Sequence, residues 1–519
     1  MKSLFKTMLA VFLIISTVTI SGLMGYAYDE VPETIKIGLF YGSSAKDSCV
    51  ISSGGGIAIS VVGDDERYSL TQDESVDEIT VKKDTLYHVI TPDTYDNYQA
   101  AWEKQAALKA EGYSAYVVYK NGSFYVSAGA FSENEKANAA AAELSADVKL
   151  PSDKCVLVYV NDVIWISVQD DSLYFTAGAP DGNIAIDGKE YRGEIQIMRR
   201  DTGDMTIVNL VGFDDYLCGV VPREVSASWN YEAVKAQSVV SRTFAMMNLN
   251  KYQKYGFNLD NTTNSQAYAG VSIEHPASNK AIAETHGEVV LYEGKPADVY
   301  FSASSGGKTG TANDAWGGEN KPYLISVDDP YENADEASYS KWEMTFTAAE
   351  LKEKLASRDV NIGDITDVKV EYSDSGRAIK TIFVGTEGEK EYMRENIRWV
   401  LGLYSTAFNV YRNGEQPSGV SVCALDKYNT FTQIDINADT QLISKDGIMG
   451  AGGAISILSA EGVTTLEAAE SSADGDFVFS GRGWGHGVGM SQWGAKGMAD
   501  NGYNYKEILE YYFVGTQVG

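Results

Sequence analysis

The sequence predicts an α+β protein: a β-rich core that carries one helical segment and is interrupted by a split βαβ insertion. Three observations predict it. Between Thr85 and Val160 the residue pattern runs strand, helix, hairpin, helix, strand. The stretches on either side alternate or run apolar between Gly and Asp-Gly turns, as half-buried and buried strands do. Residues 219 to 250 break from this into a helical pattern, with apolar positions at Ala233, Val240, Phe244 and Met247.

From the N-terminus, Lys2 and Lys6 precede an apolar run from Met8 to Ile20, then small residues at Gly25 and Ala27 and acidic Asp29-Glu30. That is the order of an export signal, with cleavage expected after Ala27. Extended to Met24, the same run is nearly long enough to stay as an anchor contacting the membrane. Either way the bulk of the chain is expected outside the cytoplasmic membrane. Residues 31–84, "TIKIGLFYG" through "RYSL", open the β-rich core, and "WISVQDDSLYF" through "MTIVNLVGF" resume it.

The insertion, residues 85–150, begins with "LYHVI" as a strand and "DNYQAAWEKQAALKAEG" as a helix closed by Gly112. Asn121-Gly122 then joins two aromatic, β-branched runs, the strongest short hairpin signal. "SENEKANAAAAEL" forms a second helix, and "CVLVYV" at 155–160 is the expected closing strand. This β-α-β-β-α-β order is the split βαβ of ferredoxin-like domains. The core then runs over 155–519. Thr347 stands three residues before Glu350, as a capping box requires, and "MRENIRWVLG" gives a further helix. In "GRGWGHGVGMSQWGAKGMAD", residues 481–500, the glycine density predicts a loop.

At 519 residues the chain is long enough for roughly two or three domains. Its formal charge of −30 argues against nucleic acid, whose phosphates would be repelled. The 33 tyrosines suit sugar faces, but they suit sheet surfaces equally well and are assigned there first. Cys49, Cys155, Cys218 and Cys423 form no CxxC pair, which excludes a zinc ribbon or a thioredoxin-type motif. Export would permit disulfides. Apolar settings such as "YLCGVV" favour small buried residues instead.

The chemistry concentrates in "GVVPREVSASWNYEAVKAQSVVSRTFAMMNLN", residues 219–250. Pro222 suits a first helical turn, and Asn230 with Glu232 suits the start of the longer helix. Gln237 lies on that helix's apolar stripe, where its amide must find hydrogen bonds. Glu224 sits among Val220, Val221, Val225 and Trp229. Desolvation there would raise its pKa and suit it to general acid work. Arg223 would oppose that shift, although adjacent helical residues point apart. An ordinary salt-bridged glutamate is the alternative, and residue arithmetic alone favours it. Farther on, "SASSGG", residues 302–307, offers Ser304 and Ser305 to a sugar groove or else makes a tight turn. "GGKTG" lacks the spacing of a P-loop.

Four stretches in order, "YLCGVVPREVSASWNYEAVKAQSVVSRTFA", "AETHGEVVLYEGKPADVYFSASSGGKTGTANDAWGGENKPYLISVDDP", "ENIRWVLGLYSTAF" and "GRGWGHGVGMSQWGAKGMADNGYNYKEILEYYF", resemble the SpoIID/LytB family of stage II sporulation protein D and amidase enhancers. The resemblance covers most of residues 31–84 and 160–519. It implies a SpoIID-type core acting as a lytic transglycosylase on peptidoglycan glycan strands stripped of their peptides, without a cofactor. Glu224 matches the family's catalytic glutamate, which reverses the preference for a salt-bridged residue. The resemblance places Arg223, Gln237 and Arg242 as glycan-holding or Glu224-orienting residues, although a structural ion pair serves Arg242 as well. It favours the groove reading of Ser304 and Ser305. The insertion, with "YSAYVVYKNGSFYVSAGAF" at its centre, resembles the SPOR domain and implies glycan binding; a spacer without ligand is the alternative. A cell-wall amidase is the implied partner, and a non-catalytic enhancer or scaffold is the competing reading of the whole chain.

Some members of the family hold zinc through a Cys/His cluster after the catalytic helices. Here Ser265 stands where a cysteine is expected, and His275 with His286 would be two ligands short of a closed site. No metal is expected, and the local fold of residues 258–290 should depart from the family's. In the glycine-rich stretch, His486 is expected to position substrate or support the site rather than to carry the proton, with Ser491, Gln492 and the two tryptophans meeting a sugar ring. A histidine bonded only to backbone is the alternative.

Overall fold

The structure, a computed structural model, describes residues 31–63, 66–70, 76–150, 153–200, 202–333, 336–337, 340–412 and 475–519. Between 413 and 474 it describes only the backbone of six short strands. The expected export signal or anchor at 1–27 and the Cys423 side chain lie outside the described residues. The chain divides into two compact units, one up to Asp298 joined by Thr516–Gly519, the other Val299–Gly515. The second thus begins inside the stretch 155–519 that the sequence pattern holds together.

In the first unit the chain forms β1 (Thr34–Phe40), β2 (Ser48–Ser52), β3 (Ile57–Gly63), β4 (Glu66–Ser69) and β5 (Glu78–Lys83). The insertion adds β6 (Tyr87–Ile90), α1 (Tyr98–Ala110), β7 (Tyr116–Lys120), β8 (Ser123–Phe131), α2 (Asn134–Leu144) and β9 (Asp147–Lys149). Then come β10 (Val156–Val160), β11 (Val163–Gln169), β12 (Leu173–Ala177), β13 (Ile184–Ile186), β14 (Lys189–Tyr191), β15 (Glu194–Arg199) and β16 (Met205–Gly212). One sheet has the order β17-β1-β16-β15-β12-β3-β4, with β17 being Leu259–Asp260. The other has the order β14-β13-β2-β5-β10-β11-β7-β8-β6-β9. Strands from before and after the insertion share both sheets, so the flanking stretches form one interrupted β unit.

The Asn121-Gly122 turn is the expected two-residue hairpin. Both residues have positive φ, 48° and 77°, and Lys120 pairs with Ser123 across it. The closing strand differs from expectation. β9 closes the split βαβ by pairing antiparallel with β6, His88 opposite Lys149. "CVLVYV" instead pairs with β5 and β11 in the core. The reason is burial: Val156, Leu157 and Val158 are each at most 1% exposed, the signature of a central strand, whereas β9 is a short, largely exposed edge strand. β7 also pairs parallel to β11, Val117 opposite Ile166, so the insertion continues the core sheet.

At that junction His88 is wholly buried. Its Nε2 lies 2.9 Å from Asp84 Oδ2, and its Nδ1 meets the Tyr116 hydroxyl. The Ser167 hydroxyl donates to the same Asp84 oxygen at 3.1 Å. Cys49, Cys155 and Cys218 are buried free thiols, in line with their apolar settings.

The first unit's remaining helices are α3 (Phe213–Cys218), α4 (Val221–Glu224), α5 (Tyr231–Met247) and α6 (Pro276–Glu284). The second unit carries α7 (Ala312–Trp316), α8 (Ala348–Ala356), α9 (Asn396–Leu401), α10 (Gln492–Asp500) and α11 (Tyr505–Tyr512). The Thr347–Glu350 capping box forms as expected, with Glu350 N donating to Thr347 Oγ1 at 3.1 Å and Thr347 N to Glu350 Oε2 at 2.8 Å. A core of Leu351, Leu355, Phe383, Ile397 and Phe479 sits beneath α8 and α9. α10 corrects the loop expectation for 481–500. Gly494 and Gly497 are helical because the helix packs too closely for side chains: a Cβ at Gly497 would stand 1.8 Å from the Tyr331 carbonyl oxygen.

Candidate active site

In the first unit, β16 runs into α3 and α4, and Pro222 occupies the first turn of α4. The helix stops at once, because Val225 turns to extended backbone at φ −136°. Asn230 then starts α5, its Oδ1 accepting from Glu232 N at 3.2 Å. Val220, Val221 and Val225 are buried, Arg223 is exposed and Glu224 is half-buried. The two neighbouring charges thus occupy different environments, as adjacent helical residues should. Near Glu224 lies Tyr216, wholly buried, whose hydroxyl donates to Gln266 Oε1 at 3.1 Å. Burial, then the charges of Tyr268, Glu224 and Asp260, hold that hydroxyl well above its ordinary range.

Gln237 and Arg242 are both fully buried. Gln237 Nε2 donates to Ser241 Oγ at 3.0 Å. Arg242 donates to Asp214 Oδ1 at 2.9 Å and to the Ile282 and Glu288 carbonyls, each at 3.2 Å. Its guanidinium ties α5 to α3 and α6. The structure thus places Arg242 in the ion pair that was its alternative reading, and Gln237 likewise presents no accessible surface. His286 Nδ1 lies 2.6 Å from the second oxygen of Asp214.

The stretch around Ser265 is built from hydroxyls. Ser265 Oγ accepts from Asp260 N at 3.3 Å, and the Thr262 hydroxyl donates to Asp260 Oδ2 at 2.6 Å. His275 Nδ1 caps α6 by accepting from Ala277 N at 3.1 Å. Among the described residues no three His, Cys, Asp or Glu side chains gather as metal ligands.

In the second unit Phe301–Ser302 pairs parallel to Met490–Ser491, which brings "SASSGG" beside the glycine-rich stretch. The Ser304 hydroxyl donates to Glu332, and the Ser305 hydroxyl to Asp329 Oδ2 at 2.8 Å. The Tyr512 hydroxyl donates to Asp329 Oδ1 at 2.9 Å. Ser491 Oγ caps α10, accepting from Gly494 N at 3.1 Å, and also accepts from Ser305 N at 3.3 Å. Burial raises the pKa of both Asp329 and Glu332 against these hydrogen bonds. Ser304, Ser305, Ser491 and Gln492 are all buried, so the tight-turn alternative describes the serines better than an open sugar groove. The hydroxyls are small enough to enter the core, and the carboxylates beneath recruit them.

His486 belongs to the same framework. Val488 N donates to its Nδ1 at 3.0 Å, and the Phe301 backbone takes the other nitrogen, which leaves the proton on Nε2. Burial, then the Arg398 and Arg377 charges, push the imidazole down to about 3. The residue as a whole is half-buried, and both ring nitrogens are committed to backbone, the alternative reading of this histidine. Arg377, 1% exposed, donates to the Ser305 and Lys308 carbonyls at 2.8 and 3.1 Å. The sequence reading missed Asp329, Glu332 and Arg377. Only the acidic cluster "SVDDPYE" hinted at the first two.

The stage II sporulation protein (SpoIID) family matches residues 201–292, the segment that holds α3 to α6 and Glu224. An uncharacterised protein of Brachyspira hyodysenteriae is 30% identical over 335 residues, spanning 64% of this chain and 73% of that one. The chain belongs to the SpoIID family. Stage II sporulation protein D of Bacillus subtilis is 28% identical over 335 residues, 61% of this chain and 77% of its own. The amidase enhancer of Bacillus subtilis is 28% identical over 345 residues, 64% of this chain and 44% of its own. This SpoIID-family chain therefore spans under half of the amidase enhancer's length. Among its described residues no helix is long and apolar enough to cross a membrane.

Proposed function

We propose that the protein is an exported lytic transglycosylase that cleaves the bond between N-acetylmuramic acid and N-acetylglucosamine in peptide-stripped peptidoglycan, with Glu224 as the proton carrier. The observation that carries the reading is Glu224 itself: a half-buried residue at the end of a four-residue helix, with buried valines on either side of it in the chain, inside the segment that matches the family. Glu224 protonates the glycosidic oxygen as the C1–O bond breaks. The muramic C6 hydroxyl oxygen then closes on C1, and its proton returns to the Glu224 carboxylate. No water is consumed and a 1,6-anhydro end remains, so one carboxyl replaces the pair used in hydrolysis. No cofactor takes part.

Peptide-free glycan strands incubated with the protein should yield anhydromuramyl ends by mass analysis, and Glu224→Gln should abolish them. Reducing ends would sink the water-free mechanism. The name of the amidase-enhancer relative favours a second reading, in which the chain stimulates a partner cell-wall amidase. Intact glycan together with a faster amidase would establish that one instead.

The split βαβ insertion is read here as a SPOR-type glycan-binding module. Hydrogen exchange with peptide-free strands present should slow within residues 85–150; protection confined to the rest of the chain would make the insertion a spacer.

A further inference from the structure

In the second unit Trp316 ends α7 with its indole 47% exposed. Beneath it lie Tyr300, with ring centroids 4.8 Å apart, and His486, at 5.0 Å. Because both His486 nitrogens are bonded to backbone, this floor is uncharged and fixed. α7 is equally fixed. Thr311 and Asp314 form a capping box, the Ser375 hydroxyl donates to Asp314 Oδ2 at 2.8 Å, and Arg394 Nε donates to the Asn313 carbonyl at 2.7 Å. Gly317 and Gly318 follow with φ of 81° and 89°, and the space around Gly318 is open. The indole thus offers a flat apolar face on a fixed aromatic base, the kind of surface on which a sugar ring stacks.

Arg394 adds a second feature. Its guanidinium lies against Gly317, where a Cβ would stand 3.4 Å from Arg394 Cζ. Beyond the Nε contact it makes no ion pair with a carboxylate among the described residues. That leaves a half-buried cation against Gly317, the residue that follows the indole in the chain, in a protein whose net charge is −30. Asn320 spends its Oδ1 on Asn313 N at 3.1 Å, and its amide nitrogen has no partner among the described residues. A flat apolar face, a fork of cationic donors and an amide donor together suit a pyranose ring that bears one carboxylate.

We propose that Trp316 and Arg394 form a subsite for a muramic acid residue with a free lactyl carboxylate. Resting on the function proposed above, this supplies a chemical basis for preferring stripped strands. A stem peptide ties up the lactyl carboxyl as an amide, and its removal exposes the anion that Arg394 can pair with.

The test is binding, not cleavage, using the full chain carrying Glu224→Gln. Three tetrasaccharides are titrated: a muramic acid oligomer with free lactyl carboxylates, the same oligomer with those carboxylates amidated, and a chitin oligomer with none. The first should bind about tenfold more tightly than the other two. Arg394→Gln should erase that preference, and Trp316→Ala should weaken all three ligands alike. Trp316 is exposed and Arg394 half-buried, and unfolding midpoints of both variants must match that of the parent chain for the comparison to count. A preference that survives Arg394→Gln, or equal binding of all three ligands, overturns the subsite. If the preference is present but the unmutated enzyme cleaves nothing, the subsite stands and the transglycosylase reading falls.

Discussion

Gly497→Ala reverses the usual sign of a helix substitution. In an exposed helix interior alanine is favoured over glycine by about 1 kcal/mol. At Gly497 the new Cβ would stand 1.8 Å from the Tyr331 carbonyl oxygen and 2.7 Å from its carbon, and the obstacle is backbone rather than the end of a flexible side chain. α10 or the Tyr331 segment must move by more than 1 Å for ordinary contact, which stretches the packing around the Ser491 cap and Asp329. Overpacking of this kind costs about 1–3 kcal/mol. Because the obstacle is backbone, the cost sits in the upper part of that range, about 2–3 kcal/mol, and the propensity gain of about 1 kcal/mol leaves a net loss of about 1–2 kcal/mol. For a unit of this size the thermal midpoint should fall by roughly 2–8 °C. Differential scanning calorimetry reads it directly. A midpoint that stays level or rises would refute close helix packing as the reason for glycine in this motif.

Asp214→Ala leaves the buried Arg242 guanidinium with carbonyls alone; since the Asp214 side chain is 29% exposed, the loss should sit at the low end for a broken buried pair, about 3 kcal/mol by urea unfolding. A change under about 1 kcal/mol would show that the pair is not what holds α3 to α5. The His486 ring signals should stay at neutral-imidazole positions from pH 8 to 5, since its folded pKa lies near 3. Its contribution to stability is present above the unfolded value of about 6.5 and is lost as pH falls toward the folded one; a titration midpoint near 6.5 contradicts the buried, doubly bonded ring. Glu224→Gln should change unfolding free energy by less than about 0.5 kcal/mol, because the half-buried side chain is not part of the core. A larger drop would give Glu224 a structural role.

Local signals in the chain were legible wherever the backbone itself responds to them. Asn121-Gly122 needs positive φ at both positions, Thr347 needs Glu350 three residues on, and Asn230 needs a free N–H above it; all three formed. Hydrophobic pattern located the two halves of the β unit but misassigned the strand that closes the insertion, because "CVLVYV" is the stronger apolar run and the real closing strand is three polar-edged residues. Glu224 was visible only through its motif; Tyr216 near it, and Tyr268 packed on Tyr216, come from different segments and are assembled by the fold. Nor does sequence tell a hydroxyl that lines a groove from one that enters the core: Ser304 and Ser305 became core groups because Glu332 and Asp329 come back over them in the chain. Glycine density was ambiguous in the same way. Gly483, Gly485, Gly487 and Gly489 take positive φ, whereas Gly494 and Gly497 stay helical and serve close packing.

The root of the insertion decides how its role can be tested. A module joined by loops could be cut out between residues 85 and 150 with the remainder intact. Here β7 covers the edge of β11 from Ile166 to Gln169, so excision would bare the N–H and C=O groups of that stretch, an open edge prone to pairing with other chains. It would also remove both His88 and the Leu86 N–H from Asp84, leaving a buried carboxylate with the Ser167 hydroxyl in place of its imidazole. Lost glycan binding after such a deletion would therefore report a damaged core as readily as a missing module. A cleaner perturbation keeps the strands and changes only exposed side chains of the insertion. By the same reasoning, ligand bound at the insertion would be held in fixed register with the core sheet, since β7 and β11 share backbone hydrogen bonds from Val117 to Lys120.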